Sequence, residues 1–288
     1  MQTHIWAAAA LGLGLSAALP AQAPEDTAVP KILMVVREQI KEGREAAHVQ
    51  SEESWPRLFE KANLAIHYIG MSSISGPPEA WFLEPYDSLA AMEKAHASMD
   101  TSSVAGELAM ANAADGELRT GSRTWITAFR PDLSYHAGEA MSVLPKCREM
   151  DVMVMRIKFG HEADLAQAAK MLINGDQLSS SDQPVLAYEL ISGGADGTYL
   201  FFAPMDSLAR MDEAPTRSAA AHQAMGAQNR GHFESLIAES VQSTESLLFA
   251  FNPHMSHVSQ EFAAQDPGFW NPKPKAAAKP VRSHAAVP

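Results

Sequence analysis

PYDSLAAMEKA, Pro85 to Ala95, and PMDSLARMDEA, Pro204 to Ala214, agree at seven of eleven positions across an offset of 119 residues. Two further pairs fall in the same order. LMVVR (Leu33–Arg37) matches VMVMR (Val152–Arg156), again at 119, and AFRPDLSY (Ala128–Tyr135) matches AFNPHMSH (Ala250–His257) at 122. Three ordered matches at nearly one offset read as a duplication. The unit is about one small domain long, well beyond the roughly 20–50 residues of a solenoid repeat.

Periodicity orders each copy. ILMVVR is a short apolar β-type run, and the segment after it places His48, Glu52, Trp55 and Phe59 at i, i+4, i+7 and i+11, one face of a helix. AIHYIGMSSISG and AWFLEP flank the turn signal Gly76-Pro77-Pro78 and read as a hairpin. Asp87 or Ser88 then caps a helix whose apolar side carries Leu89, Met92 and His96. A further helical stretch leads to RTWITAFRP, a strand stopped by Pro131. The second copy repeats the order, with a hairpin around GGADG and a long helical region over Asp206–Ser240.

The expected fold is therefore α+β: two tandem ferredoxin-like β-α-β-β-α-β repeats, over 31–135 and 148–257. Such a unit covers one sheet face with helices and leaves the other bare, so two copies are expected to pack sheet to sheet as a pseudo-dimeric α+β barrel.

The chain of 288 residues is 46% hydrophobic and carries a formal charge of −12, which argues against a nucleic-acid partner. Its basic end, with Lys273, Lys275, Lys279 and Arg282, belongs to a Pro-, Ala- and Lys-rich tail over 258–288 that reads as largely disordered. Residues 5–19, an apolar run followed by PAQA, read as a secretory signal peptide cut after Ala21 or Ala23, implying an exported, periplasmic or extracellular protein. No later segment is apolar enough to span a bilayer. Cys147 is the only cysteine, so no internal disulfide forms; Lys146 and Arg148 beside it would favour its thiolate, but no base is placed to use it.

WFLEPYDSLAAMEKAHAS, Trp81–Ser98, a strand, a turn-like junction and a helix with a histidine near its end, resembles the dimeric α+β barrel superfamily, the ferredoxin-like group with antibiotic-biosynthesis-type monooxygenases and NIPSNAP-like proteins. In the second copy Pro215 stands at the offset of His96, and a histidine comes later, at His222. The resemblance implies a cavity between sheet and helices that relatives use for small aromatic substrates, for haem, or for nothing catalytic.

His96 is the first candidate for a general base, with Arg37 as anchor for a developing negative charge and Trp81 as a cavity wall. His67, Arg156, Tyr199 and His222 are candidate ligand contacts, each with a packing role as the competing reading. His67 and Tyr68, adjacent in a strand, should face opposite ways, so that only one lines a cavity. His48 and Glu52 read as a boundary ion pair. His254 and His257 lack a third ligand nearby, so no metal site is expected. No Walker A loop, nucleophile elbow, HExxH or CxxC occurs. The leading expectation is a small-molecule-binding barrel without cofactor, with cofactor-independent oxygenation as its chemistry if it is an enzyme. The alternatives are haem binding through His96 or His222, or a non-enzymatic interaction protein. Oligomeric state stays open, a homo-oligomer included.

Overall fold

The computed structural model describes residues 29–271. The segment read as a signal peptide and residues 272–288 of the tail lie outside them. The first apolar run becomes β1 (Ile32–Ile40), followed by α1 (Glu45–Glu52), α2 (Ser54–Ala62), the hairpin strands β2 (Ile69–Ser73) and β3 (Glu79–Tyr86), α3 (Leu89–Asp100), α4 (Ala105–Gly116) and β4 (Arg119–Phe129). A connecting helix, α5 (Ala137–Val143), leads to β5 (Glu149–Ile157), α6 (Glu162–Leu178), β6 (Leu186–Ser192), β7 (Thr198–Met205), α7 (Ala209–Met225), α8 (Ala227–Ser240) and β8 (Val241–Phe251). Two short helices follow, α9 (Gln260–Ala264) and α10 (Pro267–Trp270). The helical region expected over Asp206–Ser240 is divided at Gly226, whose φ of +81° a helix cannot continue through. Among the described residues no helix is long and apolar enough to cross a membrane.

The strands do not form two separate sheets pressed face to face. They close one antiparallel barrel in the order β1-β3-β2-β8-β5-β7-β6-β4. Two seams join the halves: Met71, Ser72 and Ser73 of β2 pair with Phe251, Ala250 and Phe249 of β8, and β4 pairs with β6 from Ile126↔Ser192 to Phe129↔Tyr188. Beyond each seam the chain leaving β8 or β4 bridges once more to the other half, His257 to Tyr68 and Tyr135 to Val185.

Strand alternation then sorts side chains in and out. Val35, Trp81, Trp125, Val152, Leu200 and Phe249 fill the barrel. On the outside, Ile40 and Phe82 pack under Phe59 of α2 and Leu108 of α4, while Met155, Ile157 and Tyr199 meet Leu165 of α6. Helix α3 departs from expectation. Ser88 caps it, its Oγ accepting from Ala91 N at 3.1 Å, but the helix buries no residue and Leu89 is 47% exposed. The tail also begins later than expected. Residues 258–271 are folded, and Trp270 is buried against Phe251 with its indole N–H donating to Pro145 O at 2.6 Å.

Two glycines mark the seams. A Cβ on Gly70 in β2 would lie 2.5 Å from Met255 O, and one on Gly193, at the end of β6, would lie 2.1 Å from Thr124 O of β4, at a φ of +97°. Gly193→Ala is expected to lower unfolding stability by about 2–4 kcal/mol, through backbone strain and displacement of β4, measured as a shift in urea midpoint.

Candidate functional site

The barrel has two unlike ends. At the end where β1 begins and β3 finishes, α5 and α9 lie across the mouth and leave a cavity of about 550 Å³. Leu33, Leu83, Leu186, Tyr188 and Phe202 form its floor from inside the barrel; Met141 and Leu144 of the connecting segment and Phe262 of α9 form its roof. The Tyr188 hydroxyl donates to Pro30 O at 3.0 Å, so the tyrosine presents an apolar face. Ala91 and Ala95, small residues on α3, border the opening.

The polar lining residues are His67, Tyr68, Tyr86, Asp87 and Ser259. His67 and Tyr68 both line the cavity, against the alternation expected of them, because β2 begins only at Ile69 and the preceding residues follow the bridge to His257 instead of a strand pleat. Burial, then the neighbouring His257, lowers the His67 pKa, which keeps its imidazole neutral. Tyr86 lines the rim and donates its hydroxyl proton to Glu84 Oε2 at 2.7 Å; burial, then Glu84, raises its pKa and holds it as a phenol. His96 does not reach the cavity. Its Nε2 lies 3.2 Å from Tyr86 Oη and 3.6 Å from Glu84, and the Glu84 carboxylate raises its pKa, favouring the imidazolium. The site can therefore hold an apolar molecule and offer it a neutral imidazole and a phenol as hydrogen-bond partners.

The other end holds Arg37 and Trp81. Arg37 Nη2 pairs with Glu79 at 3.0 Å and Glu245 at 3.3 Å, and its guanidinium carbon lies 4.5 Å and 4.8 Å from the ring centres of Trp81 and Trp125. Trp81 is fully buried and donates its N–H to Glu79 Oε2 at 2.7 Å. Both faces and both edges of this guanidinium are thus engaged, and Trp81 is core, not cavity wall. Arg156, at the matching position of β5, lies opposite Thr198 where Arg37 lies opposite Trp81; it is exposed and forms no ion pair among the described residues. Tyr199 lies outside the barrel, its hydroxyl 3.3 Å from Glu189 and its ring near Arg130.

His222, on α7, packs against Phe233 with ring centres 5.7 Å apart. Beside it α6 and α7 are so close that a Cβ on Gly175 would lie 2.7 Å from Ala221 O. Haem needs an axial ligand facing an open apolar slot and cations for its propionates. Neither His96 nor His222 lines the cavity; His67 does, but no Arg or Lys lines it to meet the propionates, so the lining fits this group poorly. Cys147 is buried, and burial pushes its thiol up to about 12, outweighing the adjacent Arg148 that was expected to favour the thiolate.

The His48–Glu52 pair is no boundary contact. Both side chains are buried beneath the sheet together with Glu38 of β1 and Asp115 of α4, and burial, then Asp115 and Glu38, pushes the Glu52 carboxyl up to about 9. Of these, Glu38 had a sequence signal: it is a charge in the outward alternation Val36-Glu38-Ile40, where apolar residues meet helices. Nothing in the sequence connects it to Asp115. The cavity floor residues were read only as strand apolars.

No protein-family model matches this sequence, and no curated protein matches it. Solved structures do. A candidate monooxygenase from Fusobacterium nucleatum superposes with a TM-score of 0.50 at 9% identity, covering 77% of this chain and 93% of its own. A candidate monooxygenase from Lactobacillus acidophilus gives 0.47 at 10% identity, over 77% and 94%, and a mutant chlorite dismutase from Candidatus Nitrospira defluvii gives 0.46 at 12%, over 81% and 95%. The first supports a shared fold and nothing more; the other two lie too low to carry an argument. The fold defined here is a closed antiparallel α+β barrel with all eight strands drawn from one chain.

Arg37→Ala is expected to cost about 3 kcal/mol in chemical denaturation, because it strands the buried Glu79 carboxylate and opens the space between two indoles, while leaving ligand affinity in the opposite cavity unchanged. Loss of binding without loss of stability would restore Arg37 as a ligand anchor.

Proposed function

We propose that this is an exported protein, built as a fused duplicate, that binds one uncharged, largely apolar small molecule, aromatic or otherwise ring-sized, in the cavity beneath α5 and α9. The observation that carries the reading is the cavity itself. Its volume of about 550 Å³ lies within the range of small-molecule sites, its walls are mainly Leu, Phe, Met and Tyr, and its polar lining is confined to His67, Tyr68, Tyr86, Asp87 and Ser259. Support for export comes from residues 5–23 alone, and support for duplication from the three sequence matches and the shared strand order of the two halves.

Binding is favoured over proton abstraction by His96. A general base must be neutral and within reach of the substrate. Glu84 favours the cation, and the ring sits behind Tyr86. Neutral His67 is suited to donate to a carbonyl or hydroxyl group of the ligand, and Tyr86, whose hydroxyl already donates to Glu84, to accept from a ligand hydroxyl.

Ala91→Trp fills the opening from a partly exposed helix position without touching the barrel core. It is expected to weaken binding of N-phenyl-1-naphthylamine at least tenfold, followed by fluorescence, with the thermal midpoint within about 2 °C of the parent. Unchanged affinity in the variant would remove the cavity as the binding site.

A further inference from the structure

We propose that Glu38, His48, Glu52 and Asp115 form a site for one divalent transition-metal ion of the Mn²⁺ or Fe²⁺ kind, on the outer face of β1 beneath α1 and α4. His48 and Glu52 are one helical turn apart on α1, Glu38 projects from the strand below, and Asp115 comes from the last turn of α4. One donor atom from each lies within 4.8 Å of every other. Metal–ligand bonds of about 2.1 Å place donors up to about 4.2 Å apart, so the cluster closes on an ion by rotamer adjustments of a few tenths of an ångström.

The second observation concerns Asp115. Its side chain is 1% exposed, and neither carboxylate oxygen makes a hydrogen bond of good geometry, with Ser51 and Glu52 lying beside it. Arg119 Nε approaches Oδ2 to 2.9 Å and His48 Nε2 approaches Oδ1 to 3.5 Å, both without hydrogen-bonding geometry. A buried carboxylate in that condition is costly. Arg119 also pairs with Glu38 Oε1, so it holds one oxygen of each acid from outside while Glu38 Oε2, 2.9 Å from His48 Nε2, and Asp115 Oδ1 face inward. Outer cations and donors that fix the ligand oxygens are a regular part of metal sites.

Charge points the same way. Three carboxylates and one guanidinium sum to −2, and a divalent ion with His48 as neutral imidazole ligand brings the buried set to zero. The rival occupant is a proton shared between Glu52 and Asp115. One imidazole with three carboxylates suits Mn²⁺ or Fe²⁺ better than the thiolate-seeking ions.

The test uses the full mature chain, stripped with EDTA, dialysed and titrated with MnCl₂ by calorimetry and electron paramagnetic resonance. One bound Mn²⁺ per chain and a rise in thermal midpoint of at least about 5 °C at a hundredfold excess over Kd are expected. Glu52→Gln, which keeps the shape of a protonated carboxyl and hence the fold, is expected to lose at least tenfold in Mn²⁺ affinity together with most of the thermal shift. Two results would overturn the proposal: a folded parent chain whose midpoint and resonance spectrum ignore Mn²⁺, leaving a shared proton as the occupant, or stoichiometric binding that survives in Glu52→Gln and Asp115→Asn alike.

Discussion

Four strand edges would stand unpaired if the halves of this chain separated: β2 and β4 in one, β6 and β8 in the other. Open edges of that kind expose backbone donors and acceptors and invite pairing with any other strand. The chain satisfies them internally, β2 on β8 and β4 on β6, and so turns two open four-stranded sheets into one closed barrel. Gly70 and Gly193 are what the seams require sterically, since each lies where a neighbouring backbone leaves no room for a Cβ. The segments that leave β4 and β8 extend the same logic, each bridging to the opposite half before it turns into a helix.

Closure makes an inside, and eight strands leave an interior that side chains can almost fill. Trp81, Trp125 and Phe249 occupy its middle, and Arg37 stoppers one end, held by Glu79 and Glu245 and layered between two indoles. The other end is filled by smaller groups and roofed by α5 and α9, and space remains there. The two halves differ at matching strand positions. Arg37 lies across from Trp81 and Arg156 across from Thr198, and only the first of the two matching arginines is drawn into the barrel.

Much of this was legible in the sequence because local order is periodic. The strand and helix succession, the hairpin turns and the Ser88 cap all follow from residue spacing and turn chemistry. What local pattern could not supply was depth. His48 and Glu52 were legible as neighbours on one helix face, but their burial depends on Glu38 and Asp115, 77 residues apart in sequence. His96 was read onto an apolar face that the fold leaves half-exposed, because α3 packs only loosely over the barrel rim. The tail reading failed at residues 258–271 for a related reason: composition marked the Lys- and Pro-rich end, while Phe262 and Trp270 were already anchoring helices against the barrel.

The most direct measurement is a crystal structure of the mature chain determined under xenon pressure. Xenon enters apolar space in proportion to its accessibility and needs no knowledge of the natural ligand. Ordered xenon bounded by Leu33, Leu83, Tyr188 and Phe202, in a barrel closed by β2·β8 and β4·β6, is the expected result. A barrel whose seams are open, or a xenon-free end with Met141, Leu144 and Phe262 collapsed onto Tyr188, would contradict the ligand-chamber reading.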